Sequence, residues 1–312
     1  MIFNVKNLTK RFGSITAVDN LSFHVKSGDI LGFVGPNGAG KTTTLRMLAT
    51  LELPNEGEVE IDGASIISRP EIARKCVGFV PDSLTVQKDI TVHEYLDFYA
   101  RLYAFKNPER RKLVNEIEEF TNLVGIREKF IDVLSKGMKQ RVSIARALLN
   151  DPDIILMDEP AAGLDPRARI ELRELLKILA KKNKMILISS HILTELDEIC
   201  TSTMIIERGK LLKFGEIHDI VDELNVKTTK RTVVLVPLEN TESLLNVLLV
   251  EPNITNVNTV GRAIEFIYDG DEKNISDLVA RLFAEGYKLI EFKIKKQNLE
   301  SVFMNITKGE VQ

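Results

Sequence analysis

The stretch Gly35-Pro36-Asn37-Gly38-Ala39-Gly40-Lys41-Thr42-Thr43 decides how the rest of the chain is read. It is entered from the apolar run Ile30 to Val34 and left through the helix-compatible segment Thr44 to Ala49. A glycine, four variable residues and then Gly-Lys-Thr, set between a predicted strand and a predicted helix, is the pattern of a loop that cradles phosphate. Gly38 and Gly40 allow backbone conformations closed to residues with a Cβ, so the N–H groups along these nine residues can converge on phosphate oxygens. The helix start beyond them adds partial positive charge. Lys41 supplies an ammonium for the β- and γ-phosphates of a nucleotide, and the Thr42 hydroxyl suits the coordination sphere of a magnesium ion. A packing turn that binds nothing is disfavoured, because an unpaired lysine beside buried N–H groups is costly without an anion.

With 312 residues the chain has room for about two domains of roughly 150 residues, each able to bury a core. A hydrophobic share of 44%, a charged share of 28% and a formal net charge of -3 give no basic footprint for nucleic acid. Cys76 and Cys200 match no metal or redox spacing and are expected as free thiols in a reducing compartment. The start MIFNVKNLTKRFG lacks the apolar core of a signal peptide, and no window approaches the ~20 apolar residues that span a bilayer. Work at a membrane would therefore go through a partner.

Residues 2 to 8 and 20 to 26 alternate like antiparallel strands, with Phe12 in the turn between them as a ring that could stack on a nucleobase. After the loop come a turn and short strand over Pro54 to Gly63 and a second apolar strand, Val77 to Val80, closed by Pro81-Asp82. Helical spacing over Val92 to Tyr103 and Leu113 to Val124 defines an insert at about 84–150; its rings Tyr95, Phe98, Tyr99 and Tyr103 are expected in the core. Ser135 is a candidate N-cap for the helix through Leu148, and that start is a potential anion site.

Ile154 to Met157 suits a buried parallel strand and ends in Asp158-Glu159. Ligands of doubly wound sheets gather at the carboxyl ends of strands, which would bring this pair to the phosphate loop. Asp158 then suits magnesium, and Glu159 suits orienting or deprotonating the attacking water. Met185 to Ile188 runs into Ser189-Ser190-His191, where His191 could report a γ-phosphate; Thr203 to Glu207 and Lys210 to Phe214 close the series.

In this order the motifs resemble the ATP-binding subunit of an ABC transporter, over residues 1 to about 220. The resemblance implies an α/β fold: a P-loop NTPase cassette with an antiparallel β subdomain and a helical insert. Phe12 then matches the base-stacking ring, Lys41 the Walker A lysine, Glu159 the catalytic glutamate and His191 the switch histidine. Ser135 and Gly137 match the signature that meets the γ-phosphate of the opposite subunit, and Asp165 the D-loop. The family implies a head-to-tail pair of copies holding two ATP molecules with Mg2+, docked on a multi-span permease at the cytoplasmic face of the membrane, with no nucleic acid.

Asp82 stands where the family has Gln or, in a subset, Glu, and a carboxylate there can still bind magnesium; Gln87 is the fallback. Lys136 replaces the first glycine of the signature and Met138 its glutamine, and such LSKGM forms look like those of the ABC-2 type exporters. After a linker over 221–230, residues 231–312 read as strand, helix, two strands, helix and strand, a small α+β ferredoxin-like domain similar to the accessory domain of ABC-2 ATPases. Rival readings are a soluble ABC ATPase acting on ribosomes or nucleic acid, and a regulatory one that passes force across a membrane without moving cargo.

Overall fold

The computed structural model describes residues 1–85, 88–220, 230–239 and 241–295. It divides into one unit running from Met1 to Ile217 and another that begins at His218. Gln87, most of the 221–230 linker and the last segment, Asn298 to Phe303 included, lie outside the described residues.

In the first unit β1 (Ile2–Phe12) and β2 (Ile15–Lys26) pair antiparallel. Both are longer than the alternation predicts, because the hairpin turns only at Gly13, where φ is +57°. The inward set Phe3, Val5, Leu8, Leu21, Phe23 and Val25 is buried as the period of two requires. After β3 (Ile30–Val34), α1 (Lys41–Leu48) and β4 (Glu56–Ile61), the two-residue β5 (Ala64–Ser65) completes an antiparallel sheet of order β2-β1-β4-β5.

The central sheet adds β6 (Val77–Val80), β7 (Ile154–Asp158), β8 (Met185–Ser190), β9 (Ser202–Glu207) and β10 (Lys210–Glu216) to β3, in the order β10-β9-β3-β8-β7-β6. Every neighbouring pair is parallel except β9 with the edge strand β10. Each residue of β3, β7 and β8 is buried, so these strands are apolar runs without alternation. Phe23 of the first sheet meets Phe33 of the second edge-on at 5.5 Å, inside a core they share with Leu45 and Leu48 of α1. Because the strands run parallel, the residues that follow Val34, Val80, Asp158 and Ser190 all leave the sheet at one edge.

Between β6 and β7 lies the insert. Past α2 (Pro70–Cys76), which precedes β6, come α3 (Val92–Leu102), α4 (Glu109–Phe120) and α5 (Lys136–Leu148). Thr91 and Glu94 form a capping box that starts α3. Val92, Leu96, Val114, Leu123 and Ile131 pack with Val142 and Ala145 of α5 in a core of their own. The aromatic residues do not all join it: Tyr95 is buried, but Phe98 is 50% exposed and Tyr103 is also exposed. Their spacing places Phe98 on the outer face of α3, which the expectation of four core rings overlooked. α6 (Pro166–Lys181) links β7 to β8, and α7 (Leu193–Asp197) follows β8. Cys76 and Cys200 are free thiols.

The second unit is β11 (Lys230–Pro237), α8 (Thr241–Val250), β12 (Ile254–Val260), β13 (Ala263–Asp269), α9 (Glu272–Ala284) and β14 (Leu289–Lys295). Its sheet is antiparallel throughout, in the order β12-β13-β11-β14, which is the split βαβ arrangement. Val233, Leu235, Ile264 and Phe266 face Leu244, Leu248, Leu278 and Leu282 in one core. Asp271 caps α9, accepting from the Asn274 N–H at 2.8 Å, so that helix starts at Glu272.

Candidate active site

The phosphate loop joins β3 to α1. Gly40 is the N-cap of α1 with φ +101°, and a Cβ there would meet the Ala17 carbonyl oxygen at 2.3 Å. A Cβ on Gly35 would meet the Ile206 carbonyl oxygen at 2.4 Å. Both positions need glycine because backbone from β2 and β9 approaches the loop closely. Gly209, in the β9–β10 turn, donates its N–H to the Ala39 carbonyl at 3.0 Å and accepts from the Asp19 N–H at 2.9 Å. This turn therefore stitches the loop to the antiparallel sheet.

Lys41 is buried, and its Nζ donates to the Gly35 carbonyl at 2.7 Å and the Pro36 carbonyl at 3.2 Å. Glu159 Oε1 is 3.6 Å from the same nitrogen. Contrary to the expectation from the sequence, this lysine has partners without an anion: the loop folds back its own carbonyls, and the turn after β7 supplies a carboxylate. Burial lowers the Lys41 proton affinity, and Glu159 and then Asp158 counter it.

Two networks converge at the ends of β7 and β8. Thr42 donates its hydroxyl to Asp158 Oδ1 at 3.0 Å, and Ser189 donates to the same oxygen at 2.7 Å. Ser189 Oγ also accepts the Glu159 N–H at 2.9 Å. Glu159 Oε2 lies 2.8 Å from His191 Nδ1 and accepts the His191 N–H at 3.4 Å. Sequence reasoning missed Ser189. The register Asp158↔Ser189 puts it beside Asp158, and its signal was a hydroxyl at the end of an otherwise apolar strand.

A cleft of about 1080 Å³ runs along the loop, lined by Asn37 to Thr43, Glu159, Phe12, Arg208 and Lys210. The predicted stacking ring is thus brought to the loop, with Lys10 Nζ 4.9 Å from its centroid. Neither Arg208 nor Lys210 was given a role from the sequence; Lys210 Nζ is 3.3 Å from Asp19. Their signal was the Arg208-Gly209 turn itself, where both residues have positive φ.

Ser135, Gly137 and Asp165 do not line this cleft. Ser135 caps α5 by accepting the Met138 N–H at 3.3 Å, and Asp165 caps α6 by accepting the Ala168 N–H at 3.0 Å. Asp82 is also elsewhere: its ion pair is with Lys136 at 3.9 Å. Among the described residues no three His, Cys, Asp or Glu side chains form a group able to hold a metal, so Asp82 does not join Asp158 and Glu159 in one cluster. The oxygens of Thr42 and Asp158 are the donor set a hard cation such as magnesium takes.

A glycine loop at a helix start, a lysine inside it and a strand-end carboxylate pair define a site that hydrolyses a nucleoside triphosphate. Residues 18–162 match the family model described as ABC transporter. A curated relative from Ralstonia nicotianae, the Nod factor export ATP-binding protein I, is 34% identical over all of this chain and 95% of its own length. Its namesake from Rhizobium meliloti strain 1021 is 31% identical over 99% of this chain and 89% of its own. Among solved structures, an ATP-binding subunit of an ABC transporter aligns with TM-score 0.66 and 29% identity over 72% of this chain and 94% of its own. A dimeric ATP-binding cassette in a post-hydrolysis state, bound to ADP and Pi, aligns with TM-score 0.63 and 28% identity over 69% and 98%. The chain belongs to the ABC transporter family as an ATP-binding subunit. It is an ATPase.

Proposed function

We propose that this ATPase powers an ABC-2 type exporter, as a head-to-tail pair of copies seated on a multi-span permease at the cytoplasmic face of a membrane. Among the described residues no helix is long and apolar enough to cross a bilayer, so the membrane part falls to a partner. Relatives that carry export in their names align over nearly the whole chain, which supports the direction of transport. The groove between Pro81, Tyr95, Phe98, Tyr99 and Arg146, with Phe98 half-exposed, is the surface we assign to the permease. The unit that begins at His218 is read as an accessory domain.

The observation that carries the mechanism is the placement of Glu159 between Lys41 and His191. Phosphate oxygens compete with Gly35, Pro36 and Glu159 for the Lys41 ammonium, and its transfer to phosphate frees Glu159 Oε1 to accept a proton from water. His191 and the Ser189-held backbone keep the carboxylate aimed. Thr42 and Asp158 would hold Mg2+, which supplies charge neutralisation at the phosphates. Phe12 takes the base, and Ser135, Gly137 and Asp165, outside the cleft of their own chain, serve the nucleotide of the second copy.

Co-purification from membranes tests the reading. A multi-span permease retained with the ATPase is the expected result; ribosomes or DNA in its place would overturn it.

A further inference from the structure

Two of the three departures from the family pattern, Asp82 and Lys136, face each other. Asp82 follows β6, Lys136 is the first residue of α5, and Lys136 Nζ stands 3.9 Å from Asp82 Oδ1. The same lysine lies over Gly163, where a Cβ would come within 3.2 Å of Nζ and 3.3 Å of Cδ. Gly163 has φ +72° and stands two residues before Asp165, the cap of α6. One side chain therefore touches three segments: the exit of β6, the start of α5 and the turn into α6. Its ion pair is about half exposed, at 52% for Lys136 and 54% for Asp82. A pair that wet adds little to the stability of the fold. Nor is Asp82 among the residues lining the nucleotide cleft.

We propose that Asp82 is a positioning residue and not a magnesium ligand: it holds Lys136 against Gly163, and the pair sets the start of α5 relative to the turn into α6. Those are the segments that present Ser135, Gly137 and Asp165, so the inference rests on the reading of these residues as half of a shared nucleotide site. The chemistry explains why the departures occur together. A lysine at 136 without a counter-ion would stand beside the α5 start, whose backbone N–H groups already carry partial positive charge. Asp82 offsets that repulsion, and its carboxylate is engaged by the ammonium when it could otherwise face a metal.

Steady-state ATP hydrolysis, titrated separately with Mg2+ and with ATP, tests this in Asp82→Asn, Lys136→Met, their combination and the exchanged pair Asp82→Lys with Lys136→Asp. Each single change should lower kcat about two- to fivefold, the span an exposed pair supports, and leave the Mg2+ half-saturation where it is in the unchanged protein. The combined variant should be no slower than either single one, and the exchanged pair should recover most of the lost rate. A raised Mg2+ half-saturation in Asp82→Asn with Lys136→Met unaffected would return Asp82 to the metal. Additive losses, or no recovery on exchange, would show that the two residues do not act as a pair. Failure of the shared-site reading registers elsewhere: a Glu159→Gln protein that stays monomeric with Mg-ATP refutes that reading whatever happens at residues 82 and 136.

Discussion

Glu159 Oε2 sits 2.8 Å from His191 Nδ1 while its other oxygen lies 3.6 Å from Lys41 Nζ, so a single carboxylate connects the phosphate loop to the end of β8. Glu159 has φ +47°, uncommon for a residue with a side chain, and its N–H is held by Ser189. An ionised carboxylate only accepts, so the His191 contact puts a proton on Nδ1, which in the neutral ring leaves Nε2 as an acceptor.

Replacing Glu159 with Gln keeps the shape and removes the base. Turnover should fall by about a hundredfold or more, the usual share of a positioned general base. Nucleotide affinity should hold, because the Lys41 ammonium is still there for phosphate and has one charged competitor fewer. Light scattering should then show dimer accumulating with Mg-ATP; unchanged turnover would remove Glu159 from the catalytic role.

Ser189→Ala takes away the acceptor for the Glu159 N–H and one of two donors to Asp158 Oδ1. Both losses fall in a buried position. Stability to urea should drop by about 1–3 kcal/mol, the range for stranding a buried polar group. The rate should fall as well, since the strained Glu159 backbone loses its tether. A variant as stable and as fast as the original would show that the strand pairing alone holds Glu159.

Most of this architecture can be read from the chain because the apolar runs of β3, β7 and β8 and the alternation of β1 and β2 report burial on two faces or on one. The phosphate loop, Asp158, Glu159 and His191 are legible since each follows such a run at its carboxyl end. What escaped depends on contacts between distant segments. Nothing local to Ser189 says that its neighbour across the sheet is Asp158, and nothing near Arg208 says that its turn is clamped between Ala39 and Asp19. The ion pair of Asp82 with Lys136 likewise exists only once the exit of β6 and the start of α5 meet.

Gly38 and Gly40 should answer differently to alanine. Both have positive φ, +80° and +101°, which disfavours a Cβ by about 1–2 kcal/mol. Space separates them: a Cβ on Gly38 meets nothing within 4 Å, while one on Gly40 would strike the Ala17 backbone at 2.3 Å. Gly40→Ala must therefore shift the loop against β2 and should abolish detectable ATP binding by calorimetry. Gly38→Ala should weaken binding by about tenfold, the rate of exchange for a penalty of that size. Equal losses would mean that the close approach to Ala17 does not govern the loop.

Lys41 gives the pH dependence. In the free protein burial lowers its proton affinity, only partly offset by Glu159 and Asp158, so it sheds its proton at a lower pH than an exposed lysine. Phosphate charge acts in the opposite direction and raises that affinity in the bound state. Between the lowered free value and the raised bound one, nucleotide binding must take up a proton, and affinity must fall as pH rises through that alkaline window. Calorimetry in two buffers of different ionisation enthalpy should record uptake that grows with pH toward one proton. Lys41→Arg, charged throughout the range, should bind with no such uptake. If the unchanged protein bound ATP in this window without taking up protons, the ammonium of Lys41 would not be the group that changes partners when phosphate arrives.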